Sequence, residues 1–312
     1  MKTLLFNSRE EWLNNRLVGI GASEIPIIMG VSPYMTPYKL WRIKKGLDAP
    51  EQNKYMEMGV RLEHVVAEMF YDATGYKSYA PFDGFAICYM EDKPHIMCSP
   101  DRLYTNDLTH GILEIKTTQY SINEIEELLP LHWYMQVIYQ FGIMRDIADE
   151  AYIAYLCRGI DFGYKKIEFD EELFNTMVEK ANEFYFKYIE GNEIPEITEN
   201  DVNDVYNYSL PGTSVKANED IITLVNQLSQ LKEEKKELDT KIESLENKIK
   251  LFMADNELLV DDSGRVLVTW KQSKPSESFD KEKFKEQHPD LYQKFVKINN
   301  PTRPFIVKKS KQ

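Results

Sequence analysis

The chain has 312 residues, 43% hydrophobic and 29% charged, with a net charge of −13. This is the balance of a water-soluble globular chain, long enough for one large core plus a smaller module, and its acidity argues against indiscriminate binding to polyanions. Apolar runs stay far below the roughly 18 residues of a membrane-spanning helix, and the start, MKTLLFNSREEW, returns to charge too soon for a signal peptide. Cys88, Cys98 and Cys157 lack CxxC spacing, which points to a reducing cytoplasm and excludes a four-cysteine metal site.

Residues 6–46 bring Trp12 and Arg16, then Gly19-Ile20-Gly21-Ala22-Ser23-Glu24. Ser23 suits the N-cap of a short helix over 24–29, with Pro26 in its tolerant first turn and Gly30 as its stop. A second helix is expected over 37–45, ended by Gly46. A helix N-terminus beside an arginine suits an anion. Simple capping next to a surface arginine fits the same residues.

Residues 55–75 have the period of an amphipathic helix, with Leu62, Val65, Val66, Met69, Phe70 and Ala73 on one stripe. Glu63 lies on the border of that stripe, where a carboxylate needs a partner. A shared metal, an arginine or a backbone amide would each serve. His64 points elsewhere. Strand patterns follow at 84–90 and 94–98.

The stretch CSPDRLYTNDLTHGILEIKTTQ, 98–119, carries the most chemistry. A polar turn at Thr105-Asn106-Asp107 precedes a strand over 111–116. Side chains alternate along a strand, so Glu114 and Lys116 share one face while Leu113 and Ile115 enter a core. If the turn brings Asp101 alongside, two carboxylates and an ammonium converge. Like charges about 4 Å apart repel by roughly 4 kcal/mol at an effective dielectric near 20, which a divalent cation would offset. An ion pair on an edge strand also fits these residues alone. Glu-x-Lys recurs elsewhere in the chain; the apolar interleaving and the preceding Ser-Pro-Asp set this copy apart.

Helix returns over 122–145, interrupted at Pro130, with Trp133, Val137, Phe141 and Met144 on its core stripe and Gln136 on the flank. Segments 151–157 and 162–169 read as antiparallel strands around Gly159, and a helix over 170–190 ends at Gly191. The order implies an α/β fold with a mixed sheet.

These pieces resemble the YqaJ-type viral recombinase family, lambda-exonuclease-like members of the PD-(D/E)XK nuclease superfamily. The matching motifs stand in the same order: W-x3-R-x2-GI-x-AS at 12–23, G-x3-E at 59–63, SPD at 99–101, LEIK at 113–116 and YMQV at 134–137. The resemblance implies a restriction-endonuclease-like core, a mixed sheet flanked by helices. It implies that Asp101, Glu114 and Glu63, with the Ile115 carbonyl, hold Mg²⁺, and that Lys116 orients the attacking water. Arg16, Ser23 and Gln136 would grip the terminal phosphate of DNA. A 5′→3′ exonuclease on duplex ends follows, oligomeric and working with a single-strand annealing protein. Arg102 departs from the glycine common after the aspartate; the expectation is that the turn changes and the ligand set does not. Oxygen donors without a cysteine or histidine set favour Mg²⁺ or Mn²⁺ over zinc.

The nuclease domain is expected over 1–200 and a linker over 201–216, where periodicity fades around Pro211-Gly212. Within 217–256 a heptad repeat places Ile221, Leu228, Lys235, Ile242 and Ile249 at a, and Leu224, Leu231, Leu238, Leu245 and Phe252 at d. Ile at a with Leu at d favours a parallel two-stranded coiled coil, with Lys235 fixing register; a long helix packed along its own nuclease domain fits equally. Residues 257–312 form a small basic module: strands at 258–260 and 266–271 around Asp262-Ser263-Gly264, a helix over 280–297 and a tail from Arg303 to Lys309. Between 271 and 312 there are eleven Lys/Arg against five Asp/Glu, net +6. Such local basic surface is where DNA or a recombination partner is expected to be met. Two other functions fit the same residues: a structure- or site-specific endonuclease, and a non-catalytic DNA-binding adaptor built around the coiled coil.

Overall fold

Alternating strands and single-stripe helices build Met1–Val205 into one unit and Tyr206–Gln312 into another. The computed structural model describes residues 1–50, 53–81, 85–106, 109–297 and 302–308; Gly84, Asp107 and Lys309, singled out above, lie outside them.

The first unit begins with β1 (Lys2–Phe6), α1 (Arg9–Arg16), a 3-10 turn (Ala22–Glu24), α2 (Ile25–Ile28), α3 (Pro37–Lys44) and α4 (Lys54–Thr74). Next come β2 (Lys77–Tyr79), β3 (Phe85–Met90), β4 (Lys93–Cys98), β5 (Arg102–Thr105) and β6 (His110–Thr118). It closes with α5 (Ile122–Glu127), α6 (Leu131–Ile143), β7 (Glu150–Cys157), β8 (Asp161–Ile167), α7 (Glu171–Phe184) and α8 (Val202–Val205). Local chemistry sets the ends. Thr36 caps α3 and Asn53 caps α4 through side-chain oxygens, and Gly75 ends α4 at φ +75°, where only a residue without Cβ is unstrained.

Five strands form a mixed sheet in the order β2-β5-β6-β7-β8, with β6 and β7 parallel and the other pairs antiparallel. A second sheet joins β1, β3 and β4. On one face of the larger sheet Leu113 and Ile115 pack with Val66, Ala67 and Phe70 of α4. On the other, Ile112 and Ile153 join Trp133, Val137 and Phe141 of α6. This is the α/β layout that the element order implied, with helices on both sheet faces. Alternation along β6 therefore aims Glu114 and Lys116 at α6.

The structure departs from expectation at three places, while the break at Pro130 is as expected. Ser23 is not an N-cap: α2 starts without a side-chain cap, and Ser23 lies exposed in the preceding 3-10 turn. The expected interruption at Pro130 divides 122–145 into α5 and α6, because proline has no N–H to donate and its ring blocks continuation. Residues 201–205, expected as linker, complete the first unit; Asp201 is buried and accepts hydrogen bonds from Thr36 and Thr198. In the second unit the helix over 280–297 is split by Pro289.

That second unit holds α9 (Glu219–Met253), a hairpin of β9 (Leu258–Val260) and β10 (Val266–Thr269), then α10 (Lys281–Gln287) and α11 (Pro289–Phe295). Asn218 caps α9 through its side-chain oxygen. In the hairpin turn, Asp261 accepts the N–H groups of Ser263 and Arg265, while Gly264 supplies φ +83°. Among the described residues no helix is long and apolar enough to cross a membrane. The three cysteines are buried free thiols.

Candidate active site

The end of β5 and the middle of β6 gather the charged groups. β5 pairs with β6 only as far as Arg102 opposite Leu113. Beyond that point the Asp101 side chain takes over: its Oδ2 accepts the N–H of Ile115 at 2.8 Å. A carboxylate thus replaces the missing backbone acceptor, which fixes Asp101 beside β6.

Glu114 is 2% exposed, and both its oxygens are occupied. Oε1 accepts from Lys116 Nζ at 2.5 Å and from Gln136 Nε2 at 2.6 Å, and Oε2 accepts from Gln140 Nε2 at 2.8 Å. Lys116 also donates to Gln136 Oε1 at 2.9 Å. Gln136 and Gln140, one turn apart on α6, meet the face that β6 presents. A buried carboxylate persists because an ammonium and two amides replace its water.

Asp101 has fewer compensations. Burial, then the neighbouring charge of Glu114, raises its affinity for a proton well above the aspartate norm, against the pull of Lys116. Burial works against the Lys116 ammonium, yet the charges of Glu114 and Asp101 raise its pKa overall. Two carboxylates side by side share one ammonium, so the cluster is rich in negative charge.

Glu63 does not complete it. Its Oε1 accepts from Arg102 Nε at 2.9 Å, in a pair whose side chains are 22% and 28% exposed. Antiparallel partners share a face, so Arg102 opposite Leu113 points towards α4, where Glu63 lies. The arginine alternative for the border carboxylate is therefore the observed one. Beyond the change expected in the turn, the Arg102 guanidinium holds one of the three carboxylates. Glu63 still contributes a repulsive charge at Asp101. Among the described residues no group of three or more His, Cys, Asp or Glu stands arranged to hold a metal ion.

Arg16 and Ser23 form a second cluster. Arg16 Nη2 donates to Ser23 Oγ at 3.3 Å, and its guanidinium lies 4.7 Å from the centre of the Trp12 ring. Trp12 Nε1 donates to the Ala86 carbonyl at 3.1 Å and to Ser99 Oγ at 3.3 Å, which ties this motif to the Ser-Pro-Asp segment. Ile20 bridges to β4 through Ile20 N–H to the His95 carbonyl and Met97 N–H to the Ile20 carbonyl. The third expected phosphate residue, Gln136, instead lies with Glu114 and Lys116. The Ala22–Glu24 turn packs against α6, the helix that carries Gln136.

Two contributors escaped the sequence reading. Gln140 stands four residues after Gln136, a spacing that could have marked a second amide on the same helix face. Lys44, whose side chain is fully buried, donates to the carbonyls of Arg16 at 2.7 Å and Gly19 at 2.6 Å. Its ammonium also pairs with Glu24 Oε2 at 2.7 Å, and the same oxygen accepts the Gly21 N–H. No local pattern links Lys44 to a loop some twenty-five residues earlier.

Residues 11–144 match the family described as the YqaJ-like viral recombinase domain. A relative from Bacillus subtilis (strain 168), the uncharacterized protein YqaJ, is 31% identical over 310 residues, spanning 96% of this chain and 94% of its own. The chain belongs to the YqaJ-like viral recombinase family. Among solved structures, an alkaline exonuclease from Laribacter hongkongensis aligns over 57% of this chain and 92% of its own, at 18% identity and a TM-score of 0.46. A phage-related exonuclease from Haemophilus somnus 129PT aligns over 55% and 94%, at 15% identity and a TM-score of 0.43.

Proposed function

We propose that this chain is a divalent-metal-dependent deoxyribonuclease. It hydrolyses phosphodiester bonds from the ends of duplex DNA, 5′→3′, and leaves single strands for phage-type recombination with a single-strand annealing protein. The observation that carries this reading is the meeting of Asp101, Glu114 and Lys116 at one end of the β5–β6 pair, under the two glutamines of α6. Membership in a viral recombinase family agrees with it.

The donor set fits a hard cation. Asp101 and Glu114 offer carboxylate oxygens, and sulfur and imidazole are absent from the set, as Mg²⁺ or Mn²⁺ requires. The Ile115 N–H leaves β6 on the Asp101 side, and a strand residue's C=O leaves by the same edge, so the Ile115 carbonyl is presented there too. Glu63 would join once released from Arg102. A bound divalent cation supplies a Lewis acid for the phosphoryl oxygen and a lowered pKa for water.

The chain's own residues do the rest. Lys116 holds an ammonium where negative charge grows on the phosphate and where the attacking water must sit. Gln136, bonded to both Lys116 and Glu114, keeps the two side chains in register. Gln140 holds the far oxygen of Glu114 and so fixes the carboxylate plane. Arg16 and Ser23 receive the terminal phosphate, the guanidinium offering a planar fork and the hydroxyl a further donor.

Nucleotide release from linear duplex with Mg²⁺ tests this. Lys116→Ala should lose about 10²-fold or more, the scale seen when one charge-stabilising donor is removed. Covalently closed circular DNA should remain intact. Equal release by wild type and variant would reject the site assignment, and nicking or cutting of circles would favour the endonuclease reading.

A further inference from the structure

Helix α9 spans 35 residues, about 52 Å at 1.5 Å per residue. Its d side chains Leu224, Leu231, Leu238, Leu245 and Phe252 are each more than half exposed. An apolar stripe of that length in water is a surface built to be covered. The charges beside the stripe determine what covers it, because e and g residues set partner and orientation in paired helices.

We infer that α9 pairs with α9 of a second copy of this chain, and that the two helices run antiparallel. A parallel pair would set Lys235, at an a position, against Lys235 of the second copy. It would also place Glu234 (g) beside Asp239 (e) of the second copy, so like charges would meet at the centre of the stripe. Only Lys241 with Glu246 would gain.

Reversing one helix removes every one of these conflicts. With the two-fold axis between Lys236 and Glu237, each a side chain faces a d side chain: Lys235 meets Leu238, Leu228 meets Leu245, and Ile221 meets Phe252 of the second copy. Glu234 then lies beside Lys241, and Lys232 beside Asp239. Symmetry repeats each pair, as in any isologous two-fold interface, so four attractive pairs flank the seam with no like-charge contact. The Lys235 stem lies along Leu238 while its ammonium reaches water, the usual way a lysine covers apolar surface. The parallel orientation suggested by Ile at a and Leu at d is overridden by charge.

The full-length chain tests this by sedimentation velocity at micromolar concentration. Wild type should sediment as two copies. Glu234→Lys should weaken the dimer by about tenfold, because it turns two attractive pairs into repulsive ones. Adding Lys241→Glu in the same chain should restore it. In a parallel pair, Glu234→Lys would instead meet Asp239 and tighten association. Orientation is read directly by mixing Leu228→Cys chains with Leu245→Cys chains under mild oxidation. Disulfides between unlike chains are expected. A monomer throughout, a tighter Glu234→Lys dimer, or disulfides only between like chains would each overturn the inference.

Discussion

A carboxylate at the margin of an apolar helix face has to find positive charge, and for Glu63 two sources compete. One is the guanidinium of Arg102, 2.9 Å away; the other is the cation that the neighbouring carboxylates are suited to hold. The pair with Arg102 is more than a fifth exposed on both sides, so its worth is modest, about 0.5–1 kcal/mol. Glu63 can therefore exchange partners at small cost. Arg102→Gly removes the competitor and a repelling charge together. It should tighten Mn²⁺ binding by about two- to fivefold, since 1.4 kcal/mol corresponds to a factor of ten. Titration calorimetry or the Mn²⁺ spin-resonance signal reads this without reference to turnover. Unchanged or weaker binding would show that Glu63 takes no part in holding the ion.

At the scale of elements, α3 and the 16–24 segment are joined by one buried ammonium. Lys44 satisfies two carbonyls and a carboxylate in a place where water cannot help. Burial lowers its pKa against the stabilising charge of Glu24. Lys44→Met should destabilise the chain by about 3 kcal/mol, the low end of the cost of breaking a buried pair, because Glu24 keeps some access to water. Lys44→Met with Glu24→Leu should recover part of this, though the two carbonyls and the Gly21 N–H remain without their side-chain partners. Urea denaturation measures both, and equal loss in single and double variants would deny the coupling. This tie also explains what the sequence could and could not disclose. The alternation of 111–116 was enough to put Glu114 and Lys116 on one face, because period two is a local property of a strand. The α4 stripe and its border residue Glu63 were equally local. Which cation Glu63 would find was not, since Arg102 lies 39 residues away and only the β5–β6 register turns it towards α4. Ser23 had the chemistry of a cap, but the chain entered α2 through a 3-10 turn instead. Pro289 was legible as a break and lost to the helical period around it.

At the scale of the whole chain, charge is divided unevenly. Residues 206–312 carry 19 Lys/Arg against 17 Asp/Glu, net +2, leaving −15 on residues 1–205. A unit so acidic repels a polyanion except where local positive charge such as Arg16 reverses the sign. Within the second unit the positive charge is concentrated after residue 270, at net +6 over 271–312. Arg303 in that stretch donates to the carbonyls of Tyr206 and Tyr208, so the basic segment is anchored to the start of its own unit. If the segment meets DNA, it does so by displacing counterions from phosphates, a contribution that fades with salt. A chain ending at residue 270 should bind linear duplex about tenfold more weakly at low salt, and the slope of log affinity against log salt should flatten by about 0.9 for each phosphate that is no longer neutralised. On short duplexes at low salt and saturating DNA, nucleotide release should persist, because the charged cluster of β5 and β6 is intact. Matching affinity and slope in the truncated and full chains would instead assign the basic module to a protein partner.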